Sequence, residues 1–212
     1  MQAIVIGATG LIGSHLVEQL AQSQHVAQVK AINRRQIDYE HAKIENIIVD
    51  YANLSDYAEA FNGDCLFSCL GTTLKQAGSI AAQRKVDVDY QYTAAQLAKE
   101  QGVQNYFLVS SSGANANSSN AYLQMKGELE EKVMALDFAS TNIFQPSLLL
   151  GERDHLRVGE KLASLVMPVL GLIPVVRKYR PIAGEQVARK MLQVSESEPT
   201  GLNYYRLAEL FS

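Results

Sequence analysis

The stretch that decides the fold is Gly7-Ala8-Thr9-Gly10-Leu11-Ile12-Gly13. It follows an apolar run at 3–6 and leads straight into a helical pattern at 11–21. In such a turn the first glycine permits the sharp bend, the second lets a pyrophosphate approach the main chain, and the third lets the helix sit close to the strand. Free N–H groups at the helix start then favour phosphate. The motif predicts a dinucleotide site, and a tight turn without a ligand is the alternative.

Short β-rich runs alternate with amphipathic stretches along the chain. The predicted strands are 3–6, 28–32, 44–49, 64–70, 105–110 and 141–144, and the predicted helices are 11–21, 87–101 and 122–136. This alternation is typical of an α/β fold with a doubly wound parallel sheet and helices on both faces. Beyond Pro146 the pattern becomes irregular and apolar, so we expect a single domain over 1–212 with 147–180 as a small substrate-side insertion.

Composition limits the classes of function. The chain has 212 residues, 47% of them hydrophobic, and a net charge of -3, which suits a folded domain and gives no basic surface for nucleic acid. No leader precedes the first strand, and the longest apolar run, 162–176, contains two prolines, so we expect a cytoplasmic protein without a membrane span. Cys65 and Cys69 are interpreted as core thiols, and the scattered histidines indicate no metal site.

The residues after the second and third strands bear on cofactor choice. The chain reads Asn33-Arg34-Arg35 where an NAD site needs a carboxylate, and the first acid is Asp38. Arginines suit a 2′-phosphate, which favours NADP(H), although solvated loop arginines are the alternative. Asp50 and the following Tyr51 are candidate adenine contacts, and Asp50 is equally suited to capping a helix or turn.

A tyrosine and a lysine stand four residues apart in the helix predicted from 122. Tyr122 and Lys126 therefore share one helix face. A phenol is a poor acid–base catalyst at neutral pH, and a nearby ammonium group stabilises its ionised form. Ser110-Ser111-Ser112 ends the preceding strand, at the edge where ligands bind in such sheets, although ordinary turn formation also explains it. Together these residues predict carbonyl chemistry.

These motifs resemble the short-chain dehydrogenase/reductase superfamily, in its atypical branch. More specific stretches resemble the family of the human Tat-interacting-protein oxidoreductase and its bacterial relatives, namely Cys69-Leu70-Gly71-Thr72-Thr73, Val86-Asp87-Val88-Asp89-Tyr90 and Tyr122-Leu123-Gln124-Met125-Lys126-Gly127-Glu128. The resemblance implies a Rossmann-type fold and NADPH binding. It implies that Tyr122 is the general acid, that Lys126 holds the nicotinamide ribose and tunes Tyr122, and that Ser111 bonds the carbonyl.

The resemblance also assigns residues along the cofactor. Leu70, Gly71 and Thr72 would line it after the fourth strand, and Pro146 would lie near the nicotinamide. Gln145 departs from the superfamily's commoner Arg-Pro, which leaves the polarity of the substrate side open. We therefore expect an NADPH-dependent reductase of a small carbonyl compound. A regulatory sensor that binds NADP(H) with little turnover is the alternative, and a homodimer or a protein partner stays open.

Overall fold

The computed structural model describes residues 1–150 and 181–211. Its strands, in chain order, are β1 (Gln2–Ile6), β2 (Gln28–Asn33), β3 (Ile44–Ile48), β4 (Cys65–Ser68), β5 (Asn105–Val109), β6 (Ser140–Gln145), β7 (Leu149–Leu150), β8 (Ile182–Ala183) and β9 (Gly201–Arg206). Seven of them form one parallel sheet in the order β3-β2-β1-β4-β5-β6-β9. The order reverses between β1 and β4, which opens a crevice at the carboxyl ends of these strands. The predicted doubly wound, Rossmann-type fold is confirmed.

Helices cover both faces of the sheet. They are α1 (Gly13–Gln22), α2 (Leu74–Ala77), α3 (Ile80–Arg84), α4 (Tyr90–Glu100), α5 (Ala121–Met134) and α6 (Gly184–Glu196), with 3₁₀ segments at Tyr51–Phe61 and Leu207–Phe211 and a π-helical segment at Lys85–Asp89. Within the described residues, no helix has the length and apolar character needed to cross a bilayer.

The core consists of two apolar layers, one on each face of the sheet. Alternating side chains of β1 divide between them, with Val5 in one layer and Ile4 in the other. Leu16 of α1 and Met191 of α6 pack in the first layer, and Leu129 of α5 packs in the second. Burial on both faces explains why the central strands have few polar residues.

Several parts of the chain differ from the sequence prediction. β9 was missed because its side chains are only partly covered, so Gly201–Arg206 lacks the apolar run of a central strand. The short helices α2 and α3 were also missed, and each begins at a side-chain cap, Thr73 and Ser79 respectively. Helix α1 begins at Gly13 rather than at residue 11.

The predicted insertion at 147–180 falls largely outside the described residues. Its first part is described, and there β7 pairs in parallel with β8 in a separate two-stranded sheet. Residues 151–180, including the apolar run 162–176, lie outside the described part of the chain. The assignment of a single domain stays a prediction.

Candidate active site

The turn after β1 has no room for a side chain at Gly7 or at Gly13. Gly7 has φ of +76°, and a Cβ there would lie 2.5 Å from the Cys69 carbonyl carbon. A Cβ on Gly13 would lie 2.1 Å from the Gly7 carbonyl oxygen, so the helix start packs directly on the turn. The Gly10 N–H donates to the Gly7 oxygen at 2.9 Å, which closes the loop. The glycines therefore let the turn, the start of α1 and the end of β4 approach one another closely.

The N-terminus of α1 completes the phosphate cradle. Ile12 occupies the N-cap position, and its side chain cannot satisfy the first N–H groups of the helix. No acidic side chain lies in the first helical turn, so the positive end of the helix dipole is not neutralised locally. Leu11 and Ile12 line the adjoining cleft, whereas Thr9 is exposed on the turn itself. Together with the absent Cβ atoms, this end of α1 fits a dinucleotide phosphate.

At the end of β2 the polar side chains divide into two groups. Asn33 is buried, and its amide donates to Tyr39 Oη at 3.0 Å and to Asn46 Oδ1 at 2.6 Å, so it fixes the neighbouring strand and loop. Arg34 and Arg35 are exposed, and neither forms a salt bridge with any described residue. The side chain of Asn33 is thus engaged within the protein, whereas those of Arg34 and Arg35 are open to solvent.

Asp50 and Tyr51 occupy different positions around the same strand ends. Asp50 is exposed and caps the following 3₁₀ segment, since its carboxylate accepts from the Ala52 N–H at 2.9 Å. Tyr51 is buried, and its hydroxyl donates to the Ile32 carbonyl at 3.1 Å. Burial raises the pKa of Tyr51, while the Gly7 backbone and the charge of Arg34 act in the opposite direction. Tyr51 is thus held inside the protein by its hydrogen bond to β2.

A cleft of about 910 Å³ opens beside the glycine turn, at the carboxyl ends of the central strands. Leu70, Gly71 and Thr72, which follow β4, line one side of it, and Pro146 after β6 lines another. The cleft also contains Ser111, Tyr122 and Lys126. The tertiary structure therefore brings all three predicted catalytic residues to one cavity next to the predicted cofactor residues.

Helix α5 supplies the tyrosine and the lysine. It begins after Asn120, whose side-chain oxygen accepts from the N–H groups of Tyr122 and Leu123 at 3.0 and 3.2 Å. Tyr122 is 39% exposed in the cleft, whereas Lys126, one turn further, is only 4% exposed. The Lys126 ammonium donates to the Val109 carbonyl at 3.2 Å. The helix thus presents a phenol at the cleft surface and a fixed cation beneath it.

Asp87 is a buried acid at the cleft that was not among the predicted site residues. It is 1% exposed, and its Oδ1 lies 3.8 Å from Lys126 Nζ. The same carboxylate accepts from the Thr72 N–H at 3.3 Å, and so connects the lysine to the predicted cofactor loop. The signal in the sequence was an acidic residue between Val86 and Val88. Apolar neighbours indicate a buried carboxylate, and a buried carboxylate requires a partner.

The three serines after β5 have different surroundings. The Ser110 hydroxyl donates a short hydrogen bond to the buried carboxylate of Glu130 and is thereby engaged. The Ser112 N–H donates to the Pro146 carbonyl at 2.9 Å, which joins this loop to the end of β6. Ser111 is half-buried in the cleft, and its hydroxyl makes only a 3.5 Å contact with the Ser112 carbonyl. Ser111 and Ser112 both line the cleft, and the assignment of Ser111 as the residue that bonds a carbonyl stays a prediction.

The two cysteines are free thiols. Burial raises the pKa of Cys69 to about 12, against the opposing effect of Lys126, and burial likewise raises that of Cys65 to about 12. Both thiols therefore stay protonated and weakly nucleophilic at neutral pH. Among the residues that the structure describes, no group of three or more His, Cys, Asp and Glu side chains is placed to hold a metal.

The fold and the cleft define a nicotinamide-dinucleotide-binding protein. The chain belongs to the NAD(P)H-binding family, which matches residues 7–164. Protein HTATIP2 of Rattus norvegicus is 40% identical over 75% of this chain and 67% of its own length. Protein FMP52-1, mitochondrial, of Scheffersomyces stipitis is 35% identical over 99% of this chain and 97% of its own length. The predicted relationship is confirmed.

Solved structures support the fold. MoeE5 in complex with UDP-glucuronic acid and NAD has a TM-score of 0.73 at 15% identity, covering 98% of this chain and 76% of that one. A short chain dehydrogenase family protein from Francisella tularensis has a TM-score of 0.65 at 16% identity, covering 96% of both chains. At these identities the similarity concerns the fold alone.

The expected cytoplasmic location is wrong. Several yeast relatives, including those from Candida glabrata and Debaryomyces hansenii, bear the name FMP52, mitochondrial, which contradicts a cytoplasmic assignment. The expectation relied on the lack of an export leader and of a membrane span. Neither feature distinguishes one aqueous compartment from another, because a Rossmann-type fold buries its core in the same way in each.

Proposed function

We propose that this protein is an NADPH-dependent reductase of a small carbonyl compound. The observation that carries the proposal is the convergence of Ser111, Tyr122 and Lys126 on one cleft beside the glycine turn. A protein that only sensed NADP(H) would need the turn, but it would not need a phenol, a cation and a free hydroxyl facing a common cavity. The catalytic roles of these residues are part of the proposal.

The choice of NADPH over NADH is based on charge at the end of β2. Arg34 and Arg35 are exposed there without a salt bridge among the described residues. A guanidinium binds a phosphate group with two parallel hydrogen bonds, whereas NADH carries no 2′-phosphate to bind. The nearest acid in sequence, Asp38, is exposed and lies in the loop beyond the arginines. This charge pattern favours the phosphorylated cofactor.

The residues of the cleft have different roles in the proposed reaction. NADPH, when bound, supplies a hydride for the carbonyl carbon. The Tyr122 hydroxyl gives its proton to the carbonyl oxygen, and Ser111 donates a hydrogen bond to the same oxygen. The buried ammonium of Lys126 lies one helical turn further along α5 and places a positive charge in the same cleft. Asp87 and the Val109 carbonyl hold that ammonium in place.

Apolar side chains at the cleft indicate which carbonyl compounds to test first. Leu74, Ile80 and Leu148 line it and are at least half exposed. Exposed apolar side chains beside a reactive centre favour an apolar substrate, because its binding removes this surface from water. Aliphatic and aromatic aldehydes, ketones and quinones form the screening set.

Cofactor preference is tested by titrating NADPH and NADH against the wild-type protein and two variants. We expect Arg34→Ala to weaken NADPH binding by about tenfold while NADH binding stays unchanged, since only NADPH loses a phosphate contact. Arg189→Ala is the matched control, because Arg189 is exposed on α6 and is paired with Glu185. Equal affinity for both cofactors, or unchanged NADPH affinity in Arg34→Ala, would contradict the preference.

Catalysis is tested by NADPH oxidation with the screening set. We expect Tyr122→Phe to lower kcat at least about 100-fold, because the proton donor is removed, with NADPH binding retained. Tyr57→Phe serves as the control, since Tyr57 lies in the 3₁₀ segment and does not line the cleft. If wild type and Tyr122→Phe oxidise NADPH equally slowly, the sensor hypothesis replaces the reductase.

A further inference from the structure

We propose that Glu130, with Gln145 and Arg206, forms a positioning network around a buried carboxylate, and that this network fixes Ser111 relative to Tyr122 and Lys126. The inference builds on the proposed reductase and concerns the geometry of the same site. Neither Glu130 nor Gln145 nor Arg206 lines the cleft, so these residues act through the groups that do.

Glu130 lies on the same face of α5 as Tyr122 and Lys126, at the end that is buried in the protein. Tyr122, Lys126 and Glu130 follow one another at intervals of four residues, which places them on successive turns of one face. Tyr122 is at the surface, whereas Lys126 and Glu130 are 4% and 6% exposed. Glu130 therefore connects the interior end of this face to the strands below the cleft.

The Glu130 carboxylate joins three elements that carry site residues. It accepts a short hydrogen bond from the hydroxyl of Ser110, which immediately precedes Ser111. It also accepts from Gln145 Nε2, at 2.9 Å to Oε1 and 3.1 Å to Oε2, and Gln145 immediately precedes Pro146. Helix α5 and the ends of β5 and β6 are thus connected through one side chain.

Arg206 of β9 fixes the orientation of the network. Its Nε donates to Gln145 Oε1 at 2.8 Å. An arginine can only donate hydrogen bonds, so the amide oxygen of Gln145 must face Arg206 and its NH₂ group must face Glu130. The guanidinium also lies 4.5 Å from the centre of the Tyr204 ring, which restricts its position. A charged side chain from β9 therefore holds the amide of Gln145 at the end of β6.

The Glu130 carboxylate is buried and accepts hydrogen bonds from a hydroxyl and an amide. Among the described residues, no Lys, Arg or His nitrogen lies within 4.0 Å of the Glu130 carboxylate. A buried charge is costly, and an apolar residue of similar size often serves stability as well or better. The hydroxyl and the amide compensate this charge only while they stay in place. Conformational specificity at the strand ends is therefore the role that we assign to the carboxylate.

The first experiment measures amide hydrogen exchange in Glu130→Gln. The Ser112 N–H bonds to the Pro146 carbonyl at 2.9 Å, so its exchange reports whether the two loops stay joined. A glutamine at position 130 must turn an NH₂ group toward the Ser110 hydroxyl or the Gln145 NH₂. We expect Ser112 exchange to accelerate about tenfold while exchange of the Val5 amide in β1 stays within about twofold. Equal acceleration at both sites, or none at Ser112, overturns the proposal.

Two further variants keep this test decisive. Glu131→Gln is the matched control, since Glu131 is the exposed neighbour on α5, and we expect wild-type exchange. Gln145→Met retains side-chain length without the amide and should accelerate Ser112 exchange in the same way, even if Glu130→Gln does not fold. Unchanged Ser112 exchange in a folded Gln145→Met overturns the network.

The second experiment measures turnover for each bound NADPH. We expect Glu130→Gln to lower kcat about tenfold with KM and NADPH affinity within about twofold, because a displaced Ser111 weakens transition-state contacts. Unchanged kcat in the presence of faster Ser112 exchange overturns the link to catalysis. If the wild type shows no turnover that depends on Tyr122, the proposed function fails, and the exchange data still decide whether the network exists.

Discussion

At the scale of single residues, the glycine turn is the most sensitive part of the site. A Cβ on residue 13 would lie 2.1 Å from the Gly7 oxygen, a contact that only backbone movement can relieve. We expect Gly13→Ala to weaken NADPH binding by at least about tenfold, because α1 must then move away from the turn. Fluorescence titration measures this loss. Ser14→Ala, at the next and exposed position, should bind normally, and normal binding by Gly13→Ala would contradict the close approach.

The buried pair of Asp87 and Lys126 provides a second prediction for single residues. Asp87→Asn retains the shape of the side chain but leaves the Lys126 ammonium buried without its counter-ion. We expect the free energy of unfolding to fall by about 3 kcal/mol, as for other buried pairs that lose one charge. Urea denaturation measures the loss. Asp89→Asn is the control, because Asp89 is exposed two residues further along, and an equally small effect of both variants would refute the pairing.

At the scale of secondary-structure elements, a pH-dependent ion pair joins α3 to α5. Arg84 binds the Glu128 carboxylate through both of its terminal nitrogens, and this hydrogen bonding holds the pKa of Glu128 below its ordinary value. A carboxyl whose pKa is lowered by folding stabilises the fold above its ordinary pKa of 4.5, and this contribution is lost as the pH falls through its lower value in the folded protein.

Glu128→Gln tests this ion pair. We expect it to reduce the free energy of unfolding at pH 7 by less than about 1 kcal/mol, because both side chains are partly exposed and solvent screens them. The difference from wild type should shrink as the pH falls below 4.5. Urea denaturation at pH 7 and at successively lower pH values measures it, with the exposed Glu131→Gln as control. A difference that persists in acid would exclude the ion pair as its cause.

At the scale of the whole molecule, β9 forms one edge of the large sheet and covers β6. All six residues of β6 are buried, and β9 pairs with each of them in parallel. Tyr205 stacks on Phe144 with ring centres 4.8 Å apart. Removing residues 201–212 would expose the edge of β6 and this apolar surface, so we expect aggregation or loss of cooperative unfolding. Size-exclusion chromatography and calorimetry measure it. Leu202→Ser, at an exposed position of β9, should remain soluble, and a soluble cooperative truncation would contradict this role.

Local sequence patterns were sufficient to predict much of the fold and part of the candidate site. The glycine turn predicted β1, the turn and α1. Its glycines are close together in the sequence, so the need for positions without side chains can be recognised from the sequence alone. The alternation of apolar strands with amphipathic helices predicted the class of fold. The four-residue spacing of Tyr122 and Lys126 is itself enough to place both on one helix face. In each case the physical requirement acts between residues that are close in sequence.

Only the tertiary structure decided which distant residues meet. Asp87 lies beside Lys126, 39 positions away along the chain, because α5 packs against the segment that precedes α4. Ser110, Glu130, Gln145 and Arg206 form one network because the ends of β5, β6 and β9 meet beside α5. The sequence by itself determined the nucleotide-binding turn and the two catalytic candidates on α5. The packing of the sheet determined the partners that hold them. Those contacts join elements that are distant in sequence, and local periodicity does not specify which of these elements become neighbours.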